Sequence, residues 1–153
     1  MSRSTSAALV CATLMLFTAP TVGAADFRAE VVALTNAERA AAGCGPLSRH
    51  QSLDTAAQAH AEDMARHNYF SHTSRDGSSP WDRTRRSGYP SRSGQGENIA
   101  AGQATPATVV RGWMGSPGHR RNMLNCNYRS IGVGYTTASV GYRHLWVQNF
   151  GTV

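Results

Sequence analysis

Lysine is absent from this sequence, and all 15 basic residues are arginine. That removes Schiff-base catalysis through a lysine and the lysine of a phosphate-binding loop. No GxSxG, HExxH or GxGxxG pattern occurs, which sets aside most familiar hydrolase, metalloprotease and dinucleotide-binding designs. Long apolar runs are also missing. The stretch from Ala7 to Phe17 is too short to cross a bilayer as a helix, and nothing later is apolar enough. Cysteine is scarce and never spaced CxxC, which leaves no dense disulfide framework and only weak grounds for a paired-cysteine metal site.

What is present begins with a leader. Arg3, the apolar stretch and the small residues Val22-Gly23-Ala24 form the three parts of a secretory signal peptide. It is expected over residues 1–25, leaving 26–153 as one domain. Val10 is a poor neighbour for a lipidated Cys11, and the apolar run continues past it, so a lipoprotein is not expected. Export leaves Cys44 and Cys126, most simply one disulfide. A crosslink closing so long a loop stabilises by ~4–5 kcal/mol in the chain-entropy account. The net charge of +6 suits an anionic partner such as a lipid headgroup or cell-envelope polymer. Its arginines are scattered, with clusters only at Arg83, Arg85, Arg86 and Arg120-Arg121. No basic stripe interleaved with aromatics exists, so no specific nucleic-acid binding is expected, and the charge reads mainly as a solvated face.

Helical spacing over Phe27 to Ala42 puts Phe27, Val31, Leu34 and Ala41 on one face, with Asp26 as N-cap and Gly43 as stop. A second helix runs from Leu53 to His67, and its face of Leu53, Ala56, Ala57, His60, Ala61 and Met64 implies close packing. Ser79-Pro80 and Thr105-Pro106 each open a further helix, the cap followed by proline at the first helical position. The first ends at Gly88 and the second runs through Trp113. Ser87 to Gly96 reads as a loop. Strand signals follow: Ile99-Ala100, then Ile131, Val133 and Tyr135 alternating with glycines, then His144 to Phe150. Thr136 to Gly141 would join the last two as a hairpin. Helices first and strands last argue α+β or a three-layer sandwich rather than a doubly wound sheet.

Three polar residues sit at element edges, where side chains converge: His72, Glu97 and His119. Two imidazoles and a carboxylate can hold zinc with an open position, or act as an acid–base pair. They are the catalytic candidates and, for His72 and His119, the metal-ligand candidates. His60 and His67 are two helical turns apart, about 10 Å, too far to share a metal. His60 reads as a packed or hydrogen-bonded residue and His67 as a surface one. His50 and His144 have no companions that suggest a role.

Several segments together resemble the CAP superfamily of cysteine-rich secretory, antigen 5 and pathogenesis-related proteins, in its bacterial form. They are Asn36-Ala37-Glu38-Arg39 with Gly45-Pro46-Leu47, Ala56 to Ala61, Phe70-Ser71-His72, Gly96-Glu97-Asn98-Ile99-Ala100, Trp113-Met114 with Ser116 to Leu124, Ile131 to Tyr135, and Trp146 to Gly151. The resemblance covers about 28–151. It implies a three-layer α/β/α sandwich with a central antiparallel sheet, and a cleft lined in many members by two histidines and two acids. His72, Glu97 and His119 match three of these, while Ser116 stands where the second acid falls. That departure weakens a four-ligand metal site, although Ser116 retains a hydroxyl for a ligand or water.

The expected function is a secreted, monomeric binding module. Its cleft of His72, Glu97, Ser116 and His119 would take a metal ion, with zinc the candidate cofactor, or a small lipid or cell-envelope ligand. One alternative is a metal-assisted hydrolase acting on peptide or cell wall. The other is a structural or antagonistic exported protein whose polar triad only ties loops together, in which case Glu97→Ala costs ~1–3 kcal/mol and no binding.

Overall fold

A computed structural model describes residues 23–90 and 94–153. The leader expected over 1–25 lies almost wholly outside these residues. Nine elements follow in order: α1 (Ala24–Ala41), β1 (Ser48–Arg49), α2 (Gln51–His67), α3 (Pro80–Arg86), β2 (Gln95–Ala101), α4 (Pro106–Gly115), α5 (Pro117–Met123), β3 (Ser130–Thr137) and β4 (His144–Gly151). The sheet order is β1-β3-β4-β2. β2, β4 and β3 run antiparallel, and β1 adds a two-residue parallel edge to β3. The fold is α+β, with helices on both faces of this mixed sheet.

Strand alternation divides the core in two. From β4, Trp146 and Phe150 join Ile131, Val133 and Tyr135 of β3, packing against Val31 of α1 and Val109, Val110 and Trp113 of α4. Leu145 and Val147 point the other way, with Ile99 of β2, onto Ala57, Ala61 and Met64 of α2. The α2 face named by helical spacing is buried throughout. Its closeness to the sheet depends on the β3 glycines. A Cβ on Gly132 would lie 2.1 Å from the Leu53 carbonyl carbon, and one on Gly134 2.3 Å from that of Ala57.

Both long edges of the sheet are covered by side chains rather than strands, which keeps them from pairing with other chains. Beyond β1, the Val133 N–H donates to Asp54 Oδ1 (2.9 Å), and the Tyr135 N–H and C=O bond the Gln58 amide (3.1 Å each). On β2, the Glu97 carbonyl accepts from Asn122 Nδ2 (3.1 Å) and the Ile99 carbonyl from Trp113 Nε1 (3.2 Å).

Ser79 and Thr105 form capping boxes with proline in the first turn, as their sequences imply. Other details differ. α1 starts at Ala24, so Asp26 lies inside the helix instead of capping it. α2 starts at Gln51, because the His50 imidazole accepts from the Ser52 N–H. β2 begins at Gln95, inside the expected loop. β3 reaches Thr137, so the hairpin turn falls at 138–143. β1 has only two residues and carries no readable signal, whereas α5 opens on Ser116-Pro117, the same pairing of cap and proline as α3 and α4, set directly against the end of α4 with Gly118 in its first turn. No helix among the described residues is long and apolar enough to cross a membrane.

Candidate functional site

The candidate residues gather at the β2 edge, where helices from both layers meet. Glu97 points toward the α2–α3 layer. Its side chain is 2% exposed, so both oxygens require partners. Oε2 takes the Arg83 guanidinium at 2.7 Å, and Oε1 takes His72 Nδ1 at 2.7 Å. A carboxylate oxygen paired with arginine accepts, so His72 Nδ1 donates in this contact. The His72 side chain is half exposed.

Arg83 organises the segment that carries His72. One terminal nitrogen donates to the carbonyls of His72 (2.9 Å) and Ser78 (3.1 Å) and to Ser74 Oγ (2.9 Å). His60, 1% exposed, donates from Nε2 to the Ser71 carbonyl (2.9 Å) and faces Ser74 Oγ with Nδ1 (3.3 Å). It is the packed, hydrogen-bonded residue expected from its helix face. His67 is a surface residue bonded to Asp63 (2.9 Å).

His119 enters from α5 and is half-buried. Burial, and secondarily the charge of His72, push its pKa below 6.5, so the two imidazoles are electrostatic neighbours. The Asn98 amide holds its position: Nδ2 donates to the His119 carbonyl (3.2 Å) and to Gln148 Oε1 (3.1 Å), and Asn98 Oδ1 accepts from Asn122 (2.9 Å). Ser116 begins α5 without a side-chain capping bond. His119 and Ser116 line a trough of about 420 Å³ whose walls also include Ile99, Val109 and Trp113. At its lip the exposed rings of Phe70 and Tyr142 lie 5.6 Å apart. Gln103 also lines it, and its buried Oε1 has no partner among the described residues.

The structure therefore pairs His72 with Glu97 directly, ties the His119 backbone to the adjacent Asn98, and puts Ser116 with His119 in the trough. Arg83, Asn98 and Asn122 are the residues sequence reasoning passed over. The last two lie within the motifs it quoted, but nothing local shows that Arg83 meets Glu97. Among the described residues no three His, Cys, Asp or Glu side chains are grouped so as to hold a metal ion.

Residues 32–150 match the cysteine-rich secretory protein family, CAP. The chain belongs to this family. The CAP domain is 44% identical over 124 residues to the uncharacterized protein YkwD of Bacillus subtilis, covering 81% of this chain and 46% of that protein. It is 36% identical over 121 residues to the uncharacterized membrane protein YlbC of the same organism, covering 79% and 33%. It thus spans less than half the length of these two relatives. Among solved structures, an extracellular protein containing an SCP domain from Bacillus anthracis superposes with a TM-score of 0.74 at 32% identity, covering 82% of this chain and 40% of that one. An outer surface protein from Borrelia burgdorferi gives 0.70 at 21% identity, covering 79% and 88%, and bears on the fold alone. The expected disulfide is present: Cys44 and Cys126, 82 positions apart, are bonded with Cα atoms 5.0 Å from each other.

Proposed function

We propose that this CAP domain is a secreted binding module for a small amphipathic lipid or cell-envelope ligand. The ligand's apolar body lies in the trough, and its oxygen-bearing head meets His119, Ser116 and His72. The carrying observation is the trough itself, lined mostly by apolar side chains together with an imidazole and a hydroxyl. Its volume of about 420 Å³ falls within the ordinary range of ligand pockets. The disulfide, the expected leader and the extracellular description of the Bacillus anthracis relative support export.

Glu97 favours binding over hydrolysis, because both its oxygens are engaged and neither is left to activate water. The same engagement argues against zinc held by three protein ligands. With Ser116 in place of a second acid, the donor set is two imidazoles, short of an open three-ligand site. Zinc at His72 and His119 is the second reading.

Calorimetric titration of dodecanoate separates these. Saturable binding, weakened about tenfold by His119→Ala, supports the trough reading. Dodecyltrimethylammonium, with the opposite head charge, is expected to bind more weakly. Equal affinity for both, or no saturation, sinks it. A zinc isotherm lost in both His72→Ala and His119→Ala selects the metal instead.

A further inference from the structure

A second cavity, also about 420 Å³, lies between α2, α3 and the segment 74–78. His60, Ser74, Arg75, Arg83 and Arg86 line it over a floor of Ala56 and Ala59. Two acids are present as well, but both are satisfied within the protein. Asp76 accepts from the Ser78 N–H (2.9 Å), the Ser78 hydroxyl (2.6 Å) and Arg86 (3.1 Å). Asp63 accepts from the Tyr69 hydroxyl and pairs with His67.

The cations are not satisfied in the same way. Arg75 is exposed and makes no hydrogen bond or ion pair with any described residue. Arg83 is more than nine-tenths buried, and both terminal nitrogens donate to oxygens, yet its buried Nε–H has no acceptor among the described residues. A buried donor without an acceptor is costly, and guanidinium groups are built to grip oxyanions. Arg86 is held to Asp76 only by an exposed pair, a weak restraint that an incoming anion can replace.

We propose that this cavity is a second ligand site, which takes the carboxylate or phosphate group of a small anion on Arg75, Arg83 and Arg86, with a short apolar portion over Ala56 and Ala59. It is separate from the trough, and neither reading depends on the other.

The test is nuclear magnetic resonance of the arginine Nε–H groups. Inorganic phosphate and acetate are titrated separately into the protein at fixed ionic strength, with chloride as the balancing salt. Saturable shifts of the Arg83 and Arg75 Nε–H signals are expected. Arg75→Gln and Arg86→Gln, both at exposed positions, are each expected to weaken binding about tenfold without changing the thermal midpoint. Tighter binding of phosphate identifies a phosphate ligand, and tighter binding of acetate a carboxylate. Shifts that chloride reproduces, or an affinity unchanged by both variants, overturn the proposal. Anion-induced shifts of the His119 ring signals, followed in a parallel imidazole spectrum, with none at Arg75 or Arg83 overturn it too, since they would assign the anion to the trough.

Discussion

Glu97 is held between a 9% exposed arginine side chain and an imidazole. Removing it leaves the Arg83 guanidinium buried and uncompensated, which is costlier than losing an ordinary hydrogen bond. Glu97→Ala is expected to lower unfolding free energy by about 3–5 kcal/mol in urea titration. That exceeds the ~1–3 kcal/mol for loss of a neutral network partner. Glu97→Gln, which keeps the shape, should cost less. A loss below about 1 kcal/mol for the alanine variant would refute the buried pair. Histidine sets the acid limb. Burial, then Arg83, holds the His60 pKa below 6.5, and burial, then His72, does the same for His119. Both native states prefer the neutral ring. Their contribution is therefore complete above pH 6.5 and is lost as pH falls through the depressed native values. Thermal midpoints should decline below pH 6.5, and His60→Asn should flatten that decline. Dodecanoate should bind more tightly over the same interval, as His119 gains charge.

Among the elements, the α2–β3 crossing has the least tolerance. Substituting alanine at Gly132 drives a methyl into the α2 backbone, where no flexible side chain can move aside. Gly132→Ala is expected to cost at least the ~1–3 kcal/mol typical of overpacking, read as a lowered melting temperature. Asp54 offers a subtler test on the same helix. Its carboxylate is the acceptor for an edge-strand N–H, so the Val133 amide should exchange slowly with deuterium although no strand among the described residues pairs with it on that side. Asp54→Ala should speed that exchange and leave β4 amides unchanged. Equal protection in both proteins would refute the edge-covering role. The quoted motifs are largely clips of this kind. The Asn36 amide bonds the Leu47 N–H (2.8 Å) and carbonyl (3.0 Å), which fixes the turn leading into β1. Asn122 ties α5 to β2 at Glu97 and Asn98.

For the molecule as a whole, two devices hold α1 to the segment before β3. One is the disulfide. The other is Arg39, fully buried and without an acidic partner among the described residues, whose guanidinium donates to the carbonyls of Gly45 (3.0 Å), Met123 (2.8 Å), Asn125 (3.0 Å) and Tyr128 (3.2 Å). Because Arg39 spans the same junction, reduction should leave a folded protein with its midpoint lowered, by a stability loss of up to ~4–5 kcal/mol. Circular dichroism melts with and without reductant measure this. Unfolding at room temperature on reduction would show that the arginine clip does not suffice.

The sequence by itself determined the family, the α+β class, the helix starts at Ser79-Pro80 and Thr105-Pro106, the disulfide and the buried face of α2. Each follows from local pattern or from few alternatives: capping chemistry, helical periodicity, two remaining cysteines. It also singled out His72, Glu97 and His119, though not how they meet. Only the tertiary structure decided that Glu97 is paired with Arg83, 14 positions away, that Ser116 and His119 share an apolar trough, and that α2 covers an open strand edge. These arrangements depend on which helix crosses which strand at what distance, and no local spacing in the chain carries that information.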